Sequence, residues 1–213
     1  YKAFVRQGAN LSDSDKEKFR DYSMRLSTLS LQFGQNVLSA VNAYTKVITD
    51  EKLVSGIPAS ALAIARDKAA AKGEKGWLFD LSMPSCLAIL TYADNRDLRH
   101  EFYMQYNTRA YKGEFDNQEV VKDIVLLRDS LAKLLGYSTY ADYVLEDRMA
   151  ENPKKVYELE EKLLKHAYPK GKEEMKKLQQ FANAQGFQGK LQRWDFAYYS
   201  EKYKTSLFNV NDE

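Results

Sequence analysis

Residues 81–112 of this chain read LSMPSCLAILTYADNRDLRHEFYMQYNTRAYK, and this stretch decides the fold class. Proline is favoured in the first turn of a helix, so Pro84 predicts the start of a short helix. Asp94 or Asn95 can cap a second helix, because a short polar side chain accepts hydrogen bonds from the free backbone N–H groups of the first turn. We expect this second helix to run to about Ala110, which makes the stretch a pair of consecutive helices.

The helical pattern continues toward the N-terminus. Apolar side chains recur every three or four positions after residue 14, at Phe19, Tyr22, Leu26, Leu29, Phe33, Val37 and Val41. This spacing predicts one face of a long helix. Ser14 and Glu17 have the spacing of a capping box at its start. Further on, Pro58 predicts the start of an alanine-rich helix from Ala59 to about Ala71.

Two more helices follow residue 112. Asn117 is expected to start the first of these helices, and Gly136 is expected to end it as the glycine that follows the last helical turn. Ser138 is placed to cap the second, which we expect to reach Met149.

The last part of the chain predicts long charged helices. Asn152 and Pro153 form an N-cap followed by a proline at the first helical position. Pro169 is expected to end or kink the helix that they open, since proline has no backbone N–H. Residues 186–189 mark a turn, after which Asp195 can cap a final aromatic-rich helix.

Extended structure is predicted only for residues 46–49 and residues 77–81. The expected fold class is therefore all-α, a multi-helix body with at most a very small β element. We expect residues 1–213 to form a single helical region, with weak candidate boundaries at residues 113–117 and 186–189.

Composition excludes several function classes. The 32 basic and 30 acidic residues give a net charge of +2, which predicts a mixed solvated surface and no nucleic-acid partner. No apolar run approaches the roughly 20 residues that cross a bilayer, so no membrane partner is expected. Cys86 is the single cysteine, which rules out an internal disulfide and fits a cytoplasmic location, with the periplasm left open. The chain begins at Tyr1, from which we expect either a processed protein or, as the favoured alternative, an excised piece of a longer protein.

A zinc peptidase helix needs two histidines four residues apart, with a glutamate beside the first. His100 and Glu101 begin this pattern, but Met104 stands where the second histidine is required. The other histidine is His166. We therefore predict no metal ligand, no cofactor-binding residue and no catalytic residue in this chain.

Other polar residues also favour structural roles. Cys86 lies in an apolar setting and is expected to be buried rather than nucleophilic. Three arginines on one helical segment (Arg96, Arg99 and Arg109, near Tyr103 and Tyr106) can bind an anionic ligand. We favour structural ion pairs with the local acids Asp94, Asp97 and Glu101. The acidic pair Glu146 and Asp147 is expected on a solvated face, and residues 151–180 on an exposed helical face with i,i+4 ion pairs.

Aromatic residues concentrate near the C-terminus, at Trp194, Phe196, Tyr198, Tyr199 and Tyr203. They fit two interpretations, a peptide-binding wall or a packed seam between helices. The seam is favoured.

The order of several segments resembles the thimet oligopeptidase-like zinc metallopeptidases, and among them the bacterial peptidyl-dipeptidases. Besides residues 81–112, the similar segments are FVRQGANLS at 4–12, FGQNVL at 33–38, LVSGIPASA at 53–61, LLGYSTYA at 134–141, MA at 149–150 and WDFAYYSEK at 194–202. The resemblance extends over nearly the whole chain.

This resemblance implies a larger neurolysin/thimet oligopeptidase-like channel fold of which residues 1–213 are a fragment preceding the zinc-binding domain. It implies a full-length parent that holds zinc, hydrolyses short peptides and releases C-terminal dipeptides. The fragment would form part of the wall of the substrate channel, would be inactive alone, and would have the catalytic domain of the same chain as its partner. The alternative is a freestanding helical protein-interaction module without catalysis.

Overall fold

Helices dominate the computed structural model, which describes residues 1–210. Its elements are α1 (Lys2–Arg6), α2 (Asp13–Ala43), β1 (Thr45–Ile48), a 3-10 turn (Glu51–Val54), α3 (Ala59–Ala71), β2 (Trp77–Asp80), α4 (Met83–Tyr92), α5 (Arg96–Asn107), α6 (Gln118–Leu134), α7 (Tyr140–Leu145), α8 (Pro153–Ala184) and α9 (Arg193–Phe208). The prediction of an all-α fold with a very small β element is confirmed. Within residues 1–210, no helix is both long and apolar enough to cross a membrane.

The chain forms two compact units. Unit 1 comprises Tyr1–Val37 and Ala110–Pro169, and unit 2 comprises Leu38–Arg109 and the chain from Lys170 onward. The candidate boundary at residues 113–117 lies close to one passage between the units, whereas the turn at residues 186–189 lies inside unit 2.

In unit 2, the two strands pair antiparallel, with Thr45 opposite Asp80 and Ile48 opposite Trp77. The sheet and helices α3 to α5 bury one apolar cluster around Phe102, whose side chain is inaccessible to solvent. Tyr44 and Phe79 meet the Phe102 ring edge-on, at centroid distances of 5.5 and 6.4 Å, an arrangement that aromatic pairs prefer. This cluster anchors α5 and thereby positions the side chains of Arg96 and Arg99.

Unit 1 is built around α6. Four apolar side chains of α6 at helical spacing are buried, namely Val120, Ile124, Leu127 and Leu131. Asn117 precedes α6 as predicted, but its side chain does not cap the helix. It accepts a hydrogen bond from Asn36 Nδ2 at 2.9 Å and donates one to the Phe33 carbonyl at 3.1 Å. Asp116 Oδ1 instead accepts from the backbone N–H of Gln118.

The N-terminal cap of α2 differs from the prediction. Ser12 Oγ accepts the backbone N–H of Asp15 at 3.2 Å, and the Ser12 hydroxyl donates to the Asp15 carboxylate at 3.0 Å. Ser14 and Glu17 are therefore residues of the helix and not its capping box. Ser12, Asp13 and Ser14 can each cap a helix, and the structure selects Ser12.

A similar shift by one residue occurs at α7. Thr139, and not Ser138, accepts the backbone N–H of Asp142 at 3.1 Å. The helix ends at Leu145, so it is shorter than the predicted helix to Met149.

Helix α8 starts as predicted, since Asn152 Oδ1 accepts the backbone N–H of Lys155 at 3.0 Å. It does not end at Pro169 but continues to Ala184. A proline removes one backbone hydrogen bond from a helix, and several helical turns on each side maintain the helix despite that loss.

The end of β2 carries a polar cluster. The Asp80 carboxylate accepts from Lys68 Nζ at 2.7 Å and from the backbone N–H and hydroxyl of Ser82. Burial alone raises the pKa of this carboxyl group, but the hydrogen bonds from Lys68 and Ser82 outweigh burial and lower it to about 2. The charged carboxylate thus stabilises the junction between β2 and α4.

We predict that Gly76→Ala destabilises unit 2 far more than Gly73→Ala. Both glycines have positive φ, +99° and +72°. A Cβ at Gly76 would lie 2.2 Å from the carbonyl oxygen of Ile48, whereas no atom lies within 4 Å of a Cβ at Gly73. We expect a loss of about 1 kcal/mol for Gly73→Ala from backbone strain and about 3 kcal/mol for Gly76→Ala. Urea unfolding measures both losses in stability. Equal losses would contradict the close approach of Gly76 to the backbone of Ile48.

We also predict that the stabilising effect of Asp80 disappears in acid. The folded-state pKa of about 2 lies below the unfolded value of about 3.9. The contribution is therefore complete above about pH 4 and is lost as the pH falls toward 2. The difference in unfolding free energy between the chain and its Asp80→Asn variant should shrink over that interval. A difference independent of pH would show that the Asp80 charge does not stabilise the fold.

Candidate functional site

A buried carboxylate joins α5 to α9 in unit 2. The side chain of Asp195 is inaccessible to solvent. Arg96 binds both of its oxygens, with Nε at 3.0 Å and Nη2 at 2.9 Å. Arg99, itself 1% exposed, donates from Nη2 to Oδ1 at 3.1 Å. Structural ion pairs are therefore confirmed for Arg96 and Arg99, but the partner is a distant acid rather than the predicted local ones.

Asp195 also organises the start of α9. Its carboxylate accepts the backbone N–H of Gln192 at 3.0 Å, and the Gln192 side chain accepts in return from the third residue of the helix. The prediction that Asp195 caps α9 was wrong in detail, because Gln192 occupies the cap position and Asp195 completes the capping box. Burial opposes ionisation of Asp195, but the donors on Arg96, Gln192 and Arg99 together hold its pKa below the ordinary value.

The remaining donors of Arg99 bind backbone oxygens. Nη1 lies 2.7 Å from the carbonyl of Ala93 and 3.2 Å from that of Asp94, and Nε lies 3.2 Å from that of Trp194. A guanidinium group has five N–H donors in a fixed plane. Arg99 thus links the end of α4, the start of α5 and the start of α9 through one buried side chain.

Asp94 forms a second link to α9. Its carboxylate accepts from the Tyr198 hydroxyl at 2.7 Å, from Lys202 Nζ at 3.2 Å and from Ser55 Oγ at 2.8 Å. Burial opposes ionisation here as well, and these donors lower the pKa of Asp94. Asp94 therefore serves as a structural hub, while Asn95 caps α5 by accepting the N–H of Leu98.

The histidines do not fit zinc. His100 is exposed and lies against the Trp194 ring at a centroid distance of 4.1 Å. Glu101 accepts from the Tyr44 hydroxyl at 2.7 Å and from Lys46 Nζ at 2.7 Å. His166 is exposed on α8. Within residues 1–210, no group of three His, Cys, Asp or Glu side chains is placed to hold a metal ion.

Cys86 and Arg109, two other candidates from the sequence, also have structural roles. Cys86 is buried, and burial raises the pKa of its thiol to about 11, which leaves almost no thiolate at neutral pH. The guanidinium of Arg109 lies 3.9 Å from the centroid of the Tyr106 ring and donates to the Tyr106 carbonyl.

In unit 1, Glu146 is exposed, as predicted, and its side chain also has two hydrogen-bond partners. Its carboxylate accepts from Arg6 Nη1 at 2.7 Å and from the Tyr137 hydroxyl at 2.5 Å. The neighbouring Asp147 is exposed, as predicted.

The predicted ion pairs along residues 151–180 are present, for example between Glu173 and Lys177 at 2.7 Å.

The C-terminal aromatic residues divide between two roles. Tyr198 and Tyr199 are buried, and Tyr203 packs on Phe181 at a centroid distance of 5.0 Å. These three form the predicted seam between α8 and α9. Phe196 is 49% exposed and, together with Tyr203, borders an open groove.

This α8–α9 groove has a volume of about 430 Å³. Its principal apolar lining residues are Met175, Leu178, Phe196, Tyr203, Leu207 and Phe208. Sequence reasoning identified the aromatic residues of α9 but missed the α8 wall. The spacing of Met175, Leu178 and Ala182 carried that signal within a helix otherwise rich in charge.

The amino-acid sequence is similar to those of known peptidases. Residues 89–213 match the profile of peptidase family M3. Oligopeptidase A of Salmonella typhimurium is 42% identical to this chain, and the aligned region covers 99% of this chain and 32% of that protein. Probable cytosolic oligopeptidase A of Arabidopsis thaliana is 36% identical, with coverage of 100% and 31%. Dipeptidyl carboxypeptidase of Escherichia coli is 27% identical, with coverage of 100% and 31%. The chain therefore spans about a third of the length of these relatives, and it is more similar to oligopeptidase A than to dipeptidyl carboxypeptidase.

We predict that Asp195→Ala destabilises the chain strongly. The substitution leaves the buried Arg99 guanidinium without its carboxylate, and breaking a buried pair in this way costs about 3–5 kcal/mol. Asp195→Asn keeps an acceptor and should cost less. Asp97→Ala, which removes an exposed acid from the same helix as the arginines, is the matched control and should change stability little. Similar losses in chemical unfolding for Asp97→Ala and Asp195→Ala would show that the buried pair has no special role.

Proposed function

Because this chain belongs to peptidase family M3, we propose that residues 1–213 are a helical, non-catalytic section of a zinc-dependent oligopeptidase that hydrolyses short peptides. The family resemblance predicted from the sequence is confirmed. The observation that carries the proposal is the alignment of 99% of this chain with 32% of an oligopeptidase A at 42% identity. The greater similarity to oligopeptidase A favours oligopeptide hydrolysis over strict release of dipeptides.

The non-catalytic role is supported by what the candidate residues already do. Asp195, Arg96 and Arg99 bind one another, and Glu101 is engaged by Tyr44 and Lys46. The residues 1–210 do not offer a ligand set that fits zinc. We therefore assign no catalytic step to them and propose that zinc and its ligands are held by another part of the same polypeptide.

A position in the wall of a substrate channel is supported by the long helices. Helix α2 has 31 residues and α8 has 32, which corresponds to about 45 Å each. Helix α2 contains no fully buried residue, so much of its surface is available for further contacts. In the proposed protein, such helices provide surface beside the path of the peptide and contribute no reacting group.

The proposal includes a cytoplasmic location and excludes nucleic-acid and membrane partners. It is supported by the balanced charge of +2 and the single cysteine, which is buried. The Arabidopsis relative is itself named a probable cytosolic protein.

We predict that the purified 213-residue chain contains no stoichiometric zinc and does not hydrolyse a blocked peptide. The complete protein that carries the chain should hydrolyse short peptides, lose activity to a chelator and regain it with zinc. Elemental analysis and a fluorogenic peptide assay measure both properties.

Variants of the histidines provide the control. His100→Ala and His166→Ala in the complete protein should leave its zinc content unchanged, because neither residue is proposed as a ligand. Loss of zinc in either variant would contradict the proposal. A complete protein without chelator-sensitive peptidase activity would favour the alternative, a helical interaction module.

A further inference from the structure

The α8–α9 groove exposes a mainly apolar surface in unit 2, bordered by Glu174, Lys177 and Lys204. Its exposed lining residues include Met175, Phe196, Leu207 and Phe208, which are 41%, 49%, 55% and 68% accessible. Single exposed apolar residues are common on protein surfaces, but a contiguous patch usually marks a binding surface. This groove is therefore a candidate binding surface.

One end of the groove is basic. A neighbouring depression of about 420 Å³ shares Met175 and Phe196 with the groove and is also lined by Lys190, Leu191 and Arg193. Lys190 and Arg193 are exposed. No carboxylate of residues 1–210 forms an ion pair with either of them. An occupant that fits the whole surface is apolar along α9 and acidic at the end near Lys190.

The walls of the groove are already fixed. The buried Asp195 pair holds the start of α9, and the contact of Tyr203 with Phe181 holds its middle against α8. Leu178 at the base of the groove is 5% exposed. A preformed surface loses little conformational entropy when it binds, which favours tight binding.

We propose that the α8–α9 groove binds a segment of the same polypeptide from outside residues 1–213, with apolar side chains against Phe196, Leu207 and Phe208 and an acidic side chain opposite Lys190 and Arg193. The inference rests on the proposed function, because it requires the longer protein. It adds to that function the surface through which this helical section joins the rest of the protein.

The length of the relatives favours an intramolecular occupant. The 215 aligned residues are 32% of oligopeptidase A, so dividing 215 by 0.32 gives a whole of roughly 670 residues and leaves roughly 450 outside the aligned region. A tethered segment is present at an effective concentration in the millimolar range, well above that of most free partners. Leu207 and Phe208 belong to the last turn of α9, so polypeptide that continues from α9 starts beside the groove.

Cysteine labelling of the complete protein tests the proposal. Leu207→Cys reports on the groove, and Lys75→Cys in the exposed loop before β2 is the matched control. Within residues 1–213 the native thiol of Cys86 is buried and contributes little background. Cysteines outside this range, if the complete protein contains any, are first replaced by serine. We expect maleimide to label Leu207→Cys at least about tenfold more slowly than Lys75→Cys, because labelling then requires local opening.

A charge-reversal variant tests the acidic end of the occupant. Adding Lys190→Glu and Arg193→Glu should raise the labelling rate of Leu207→Cys and leave that of Lys75→Cys unchanged. Equal labelling of Leu207→Cys and Lys75→Cys in the complete protein without the charge reversals would overturn the proposal, since the groove would then be open.

A photo-crosslinker attached at Leu207→Cys identifies the occupant. A crosslink within one molecule to a residue outside 1–213 supports the proposal, whereas a crosslink between two copies overturns it. The peptidase assay of the complete protein separates the two proposals. Chelator-sensitive activity with an open groove refutes this inference alone, and a protected groove without activity refutes the peptidase function alone.

Discussion

The structure of unit 2 depends on the burial of one negative charge. A carboxylate away from water is costly unless other groups replace the lost hydration. Around Asp195 those groups are two guanidinium groups and the backbone N–H of Gln192. Because each donor has to occupy a fixed position, the junction between α5 and α9 can adopt only one arrangement. The apolar cluster around Phe102 stabilises the same helix from its other side, but apolar contacts alone are not directional.

This constraint gives α9 two different faces. On one face Tyr198 and Tyr199 are buried, and the Tyr198 hydroxyl binds Asp94. On another face Phe196 and Leu207 remain accessible along the groove. A helix held rigidly by buried polar contacts can present apolar side chains to a further partner without rearranging. The ion pair that stabilises the fold therefore also shapes the surface available for assembly.

The same arrangement gives structural partners to residues whose types suggest chemistry. Arginines, a buried acid, tyrosines and a histidine lie together at the α5–α9 junction, which resembles a site when seen in isolation. The acid and both arginines are engaged with one another, and His100 packs on the Trp194 ring. The chain nonetheless belongs to a peptidase family, and its alignment covers about a third of the relatives' length.

The sequence alone determined the helices, the two short strands and the family resemblance, because helical periodicity, proline positions and glycine stops act over a few residues. It also predicted that Arg96 and Arg99 form ion pairs and that Cys86 is buried. Tertiary structure decided the partners. Asp195 lies 96 positions from Arg99, Asn117 binds Asn36 instead of capping α6, and Phe196 lines a groove with Met175 of another helix. Local patterns do not encode such pairings, because the contact between two distant side chains depends on how the whole chain packs.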